Sequence, residues 1–171
     1  MFRNLFQQSG KDSAIDKMLK SYRGIEIGRS EDGVLCASST EVNGFKFLRL
    51  ELVGPWNIRT QLGAEVIWRT EDSSLEMESD STEIKSLFSK KLKQGLTHFD
   101  VDLDESLMAL IQAGSLKSVK LTFKKEEIAF QITQPDALRQ IADAAGKEPE
   151  VEVDMDAVDY EDVDAEATPE S

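Results

Sequence analysis

Phe45-Lys46-Phe47-Leu48-Arg49-Leu50-Glu51-Leu52-Val53 decides the fold. Leu48, Leu50 and Leu52 fall on one side, Arg49 and Glu51 on the other. A period of two is that of a strand with one buried and one wet face. Gly54-Pro55 breaks the pattern at its end. Asn43-Gly44 stands just before it, a pair that tolerates the positive φ of a tight hairpin. The segment therefore pairs antiparallel with Val34 to Ser38, and Asp32-Gly33 supplies a second hairpin back to Ile25 and Ile27.

The same alternation recurs downstream. Ile58 to Arg69 reads as one long strand with Leu62, Ala64, Val66 and Trp68 on its apolar face and Gly63 as a bulge. Trp68 is thereby placed in the core, while Trp56, after Gly54-Pro55, stands at a turn with its role open. Leu75 and Met77 mark a short strand. Phe99, Val101 and Leu103 mark a further one, and Val119, Leu121 and Phe123 return through Ile128, Phe130 and Ile132. Short connections and clean alternation argue an antiparallel meander.

Helices punctuate the strands. Ser13 to Arg23 carries Ile15, Met18, Leu19 and Tyr22 on one stripe, and Gly24 stops it. Asp104 caps a helix bearing Leu107, Leu110 and Ile111, stopped by Gly114. Pro135 opens a last helix with Leu138 and Ile141, ending at Gly146. Within 81–95, Ile84, Leu87, Phe88 and Leu92 have helical spacing, while Ile84, Ser86 and Phe88 also fit a strand followed by a Lys-rich loop; of the two readings the helix is preferred. The expected class is α+β: a mainly antiparallel β-sheet, meander or open barrel, covered by a few short helices. A flexible lead over 1–11, a single domain over 12–146 and a disordered acidic C-terminal tail over 147–171 complete the organisation.

That tail is compositionally distinct. Glu148, Glu150, Glu152, Asp154, Asp156, Asp159, Glu161, Asp162, Asp164, Glu166 and Glu170 are eleven acids with no base among them. Of 33 acids in the chain, 22 remain elsewhere, against 20 bases, so the body is nearly neutral and the net −13 is mostly tail. Val151, Val153 and Met155 alternate with the acids, and Tyr160 follows. Such an acidic-hydrophobic segment suits a recognition element that orders on a partner. Asp154, Asp156 and Asp159 fail the register of a calcium loop, because Asp159 stands where its glycine belongs.

Catalytic signatures are sparse. One cysteine, Cys36, and one histidine, His98, do not make the usual structural zinc set. The sequence carries neither a phosphate-binding glycine loop nor a nucleophile elbow. His98, Asp100 and Asp102 share one side of a strand and are the candidate ligands for a divalent cation. Opposing that reading, alternate residues on a strand stand roughly 6.5–7 Å apart, wide for sharing one ion, and Asp104 serves as a cap. Lysines gather between Lys85 and Lys125, with Lys90, Lys91 and Lys93 closest together. The N-terminus lacks a signal-type apolar run, so a soluble cytoplasmic protein without a membrane segment is expected.

The functional expectation is a non-enzymatic interaction or adaptor module with no cofactor. Its acidic tail meets a basic protein surface or the body's own lysines. The partner-contact residues are Val151, Val153, Met155 and Tyr160 in the tail and Lys90, Lys91 and Lys93 in the body. Nucleic acid is not the expected partner, because the body is not basic. The alternative is a small-ligand or metal-binding domain, or an enzyme, using the face of His98, Asp100 and Asp102.

Overall fold

A computed structural model describes residues 14–145. The lead over 1–11, Ser13 at the start of the first expected helix and the acidic segment therefore lie outside the described residues. A helix, α1, covers 14–21. Three strands follow: β1 (Ile25–Arg29), β2 (Val34–Val42) and β3 (Phe45–Gly54). Next come β4 (Arg59–Thr60), β5 (Glu65–Arg69), β6 (Ser74–Glu78), β7 (Ile84–Lys85), β8 (Leu87–Ser89) and β9 (Gln94–Asp102). Helix α2 (Glu105–Ala113), strands β10 (Ser118–Phe123) and β11 (Glu126–Ile132), and helix α3 (Pro135–Ala145) finish the described chain.

Nine strands form one antiparallel sheet in the order β6-β5-β10-β11-β1-β2-β3-β9-β8, and β4 pairs with β7 as a separate ribbon. β3 is central to one half, as its alternation demands. Leu48, Leu50 and Leu52 are fully buried and lie opposite Ser39, Ala37 and Leu35 on β2. On the other side they face Val101, Phe99 and Thr97 on β9. The hairpin between β2 and β3 turns through Asn43 (φ 53) and Gly44 (φ 85), the left-handed pair that matches strand twist.

The sheet is open but strongly curled. Phe99 on β9 and Phe123 on β10 lie far apart in strand order, yet their ring centroids are 5.6 Å apart, edge to face. The inner faces of the two halves must therefore meet across one core. A bridge from Ser79, just past β6, to Val101 on β9 joins the halves again, with the Asp80 N–H donating to the Asp100 carbonyl at 2.8 Å. Into the core project Val66 and Trp68 from β5, Val119 and Leu121 from β10, and Ile128 and Phe130 from β11. The helices cover it. α2 buries Leu107 and Ile111, and α3 buries Leu138, Ile141, Ala142 and Ala145. The Asp104 carboxylate accepts from the Leu107 N–H at 2.9 Å and caps α2, and Gly114 (φ 67) ends it. Asp16 of α1 is buried, and its carboxylate accepts from Ser89 Oγ, tying α1 to the end of β8.

Two expectations are corrected. The stretch 81–95 is not helical: it forms β7, β8, a turn and the start of β9. The reason is tertiary. Ser86 Oγ accepts from the Ile58 N–H at 2.7 Å and lies 2.6 Å from Thr97 Oγ1, while the Ser86 N–H donates to the Ile58 carbonyl. Buried polar groups satisfied in this way outweigh a helical spacing of four apolar residues. The run Ile58–Arg69 is likewise not one strand. Gly63 takes φ 78 and divides β4 from β5. Leu62, assigned to the core face by alternation, is instead 74% exposed.

Candidate interaction site

β9 turns Thr97, Phe99 and Val101 inward, so His98, Asp100 and Asp102 face outward, as the alternation requires. Their partners on β3 are set by register: Glu51 opposite His98, Arg49 opposite Asp100 and Phe47 opposite Asp102. Arg49 grips Asp100 with both limbs of its fork, Nε to Oδ1 at 2.8 Å and Nη2 to Oδ2 at 3.2 Å. The hydrogen bonds to Asp100 hold the guanidinium pKa above its ordinary value, against a smaller opposing effect of burial. Asp100 is thus neutralised by a cation, and Asp104 is occupied at the helix cap. Among the described residues no group of three or more His, Cys, Asp or Glu side chains is arranged to hold a metal ion.

Next to His98, Glu51 is engaged from α1's side: Tyr22 Oη donates to its Oε1 at 2.6 Å. Cys36 lies opposite Glu51 on β2. Burial pushes the Tyr22 hydroxyl pKa far up, and the hydrogen bond to Glu51 adds to it. Burial likewise pushes the Cys36 thiol up, with Glu51 and Glu26 reinforcing and the bond to Tyr22 opposing. A thiol held protonated at neutral pH is a poor nucleophile. The cluster joins α1 to the sheet.

A pH dependence follows from this cluster. Both groups keep their protons in the folded chain at pH values where the unfolded chain releases them, near about 8.5 for Cys and 10 for Tyr. Above those values the unfolded state binds fewer protons, so stability declines as pH rises. We expect the melting temperature, followed by circular dichroism, to fall from pH 8 to 11, and Tyr22→Phe to flatten the part above about pH 10. An unchanged slope in that variant would exclude the hydroxyl as its source.

Two groups of cations lie on the surface of the described residues. Lys90, Lys91 and Lys93 are exposed on the turn between β8 and β9, where Ser89 Oγ accepts from the Leu92 N–H at 3.0 Å. The second group brings Lys85, Lys124 and Lys125, from the two ends of the lysine-rich stretch, together with Arg59, which the sequence pattern did not connect to them. The segment after Trp56 runs against the turn between β10 and β11. It makes a cavity of about 210 Å³ bounded by Ile58, Arg59, Phe123, Lys124 and Lys125. An adjoining cavity of about 420 Å³ shares Arg59 and Lys124 with the first and adds Leu62, Glu83 and Lys85. Register explains part of this meeting, since Arg59 pairs with Lys85 across the β4–β7 ribbon. Lys85 lies 3.3 Å from Glu83, whereas Arg59, Lys124 and Lys125 form no ion pair among the described residues. Gly63 was the one local signal, because a break there frees Leu62 to face this cleft.

Trp56 sits elsewhere in the core's rim, 9% exposed, with its ring 5.7 Å from that of Phe130 in an edge-on contact. Val151, Val153, Met155 and Tyr160 lie outside the described residues. No helix among the described residues is long and apolar enough to cross a membrane. No protein-family model, no curated protein and no solved structure matches the chain.

Proposed function

We propose that the chain is a non-enzymatic interaction module. Its folded body is a scaffold, and the acidic segment 148–171 engages a cationic surface on a partner protein or on the body itself. The observation that carries this reading is the separation of charge: eleven acids and no base in that segment, beside 22 acids and 20 bases in the rest of the chain. The interleaved Val151, Val153 and Met155 give it an apolar component, so that contact is more than a diffuse attraction. The side chains nearest to chemical use support a structural role for the body. Asp100 is bound by Arg49, Asp104 by a helix terminus, and the Cys36 thiol is shifted toward its protonated form.

Binding to immobilised poly-L-lysine tests the reading. Removing residues 148–171 should weaken binding at least tenfold at low salt, and raising the salt should do the same to the full chain, because exposed charges are screened over about 8 Å at physiological ionic strength. Equal capture by the shortened chain would end the proposal.

A further inference from the structure

Resting on that reading, the geometry points to a specific receptor for the acidic segment. We propose that the cleft of Arg59, Lys85, Lys124 and Lys125 is a binding site for an acidic peptide punctuated by apolar residues, and that its occupant is residues 148–171 of this chain. The segment would thereby be held back from outside partners until a cationic surface displaces it.

The cleft departs from its surroundings in charge. Asp12 and the eleven acids after Gly146 lie outside 14–145, as do Arg3, Lys11 and Lys147. Of the 33 acids and 20 bases, 21 and 17 remain, so the described body is net acidic. Yet four cations gather around two adjoining cavities with only Glu83 and Glu126 as local carboxylates. Arg59 and Lys124 line both cavities, so an anion bound there meets cations from both.

The cleft also has an apolar element. Leu62, at its wall, is the most exposed large hydrophobic side chain of the described residues, at 74%. An anion alone leaves it in water. A peptide in which Val151, Val153 and Met155 alternate with Glu150, Glu152, Asp154 and Asp156 matches both elements: carboxylates toward Arg59, Lys124 and Lys125, an apolar side chain toward Leu62. The β8–β9 turn offers Lys90, Lys91 and Lys93 around a half-buried Leu92, which is the poorer match.

Reach is sufficient. The eleven residues after Ala145, as far as Asp156, span up to about 36 Å when extended, comparable with the breadth of the body. A body of this size has a radius of gyration of about 14 Å. Tethering then raises the local concentration of the segment to the order of millimolar, so a weak intrinsic affinity is enough to fill the cleft.

The test uses the full-length chain. A nitroxide is placed at Ala157→Cys in a Cys36→Ala background, and paramagnetic broadening of backbone amides is read by NMR. Broadening is expected at Thr60, Gln61, Leu62, Lys85 and Lys124 at low salt. It should vanish at high salt and in the charge-reversed pair Arg59→Glu/Lys124→Glu, whose side chains are exposed and whose fold is checked in the same spectra. In parallel, that pair without the label should bind poly-L-lysine about three- to tenfold more tightly than the unmodified chain, a gain well above the one the same pair produces when residues 148–171 are removed. That change corresponds to a segment free only about 10–30% of the time before release. Broadening centred on Lys90 to Lys93, or nowhere, overturns the cleft as the receptor. An unchanged affinity in the charge-reversed pair overturns the masking. Absence of poly-L-lysine binding by every form instead removes the broader interaction reading, while the broadening experiment still decides whether the segment docks.

Discussion

Trp68→Ala should cost about 3–5 kcal/mol in urea unfolding monitored by circular dichroism, the range for emptying a large aromatic site in a packed core. Trp68 is fully buried on β5, and its cross-strand partners are Val119 on β10 and Leu75 on β6. Its indole N–H points at Met77 Sδ, 3.4 Å away, so even its one polar group has a neighbour. Val119 is rigid at χ1 and fixed in a paired strand, which limits how far the space can collapse. Stabilities of natural domains lie at about 5–15 kcal/mol, so the variant keeps only a modest margin. Trp68→Phe should cost clearly less, since a ring remains to fill most of the volume. β6 is the edge strand and rests on Trp68 through half-buried Leu75 and Met77. Its amides should therefore lose hydrogen-exchange protection before those of β3. A cost below about 1 kcal/mol would mean that the indole does not fill the core.

The core was legible in the chain because alternation is a local property. Leu48, Leu50 and Leu52 declare their face within nine residues, and the structure buries all three. Turn and cap chemistry is equally local: Asn43-Gly44, Asp104, Gly114 and Pro135 each act where their side chains or backbones dictate. What failed was decided at a distance. Ser86 selects strand over helix through Ile58 and Thr97, residues 28 and 11 positions away. Leu62 leaves the core because Gly63 adopts a left-handed conformation, which a bulge reading underestimated. The candidate site divides along the same line. The acidic segment is plain from composition, and the outward face of His98, Asp100 and Asp102 from period. The Arg49 that neutralises Asp100 comes from 51 residues away, through the pairing of β3 with β9. The lysine gathering from Lys85 to Lys125 was legible, but the cleft also needed Arg59, which only the pairing of β4 with β7 and the turn between β10 and β11 bring to Lys85 and Lys124.

Gly54→Ala should also be strongly destabilising, and the cost should depend on Trp56. The ring of Trp56 lies on two glycines. A Cβ added at Gly54 would meet Trp56 alone as its nearest neighbours, with three ring carbons inside 3.0 Å. A Cβ added at Gly33 would also meet the ring, but its nearest obstacle is the Val53 carbonyl oxygen, part of β3 itself. Overpacking of this kind costs about 1–3 kcal/mol, and more where nothing can yield. Trp56→Ala by itself forfeits the edge contact with Phe130 and should cost about 3–5 kcal/mol. In the double variant Gly54→Ala/Trp56→Ala the clash has no second partner. The pair should therefore be less destabilised than the two single costs together, by about 0.5–3 kcal/mol. Gly33→Ala/Trp56→Ala should show a smaller coupling, because the carbonyl of Val53 stays in place. Urea unfolding of the six forms, wild type included, measures both cycles. Additive costs at Gly54 and Trp56 would show that the indole is not seated on Gly54, and equal couplings at the two glycines would show that the backbone of β3 yields.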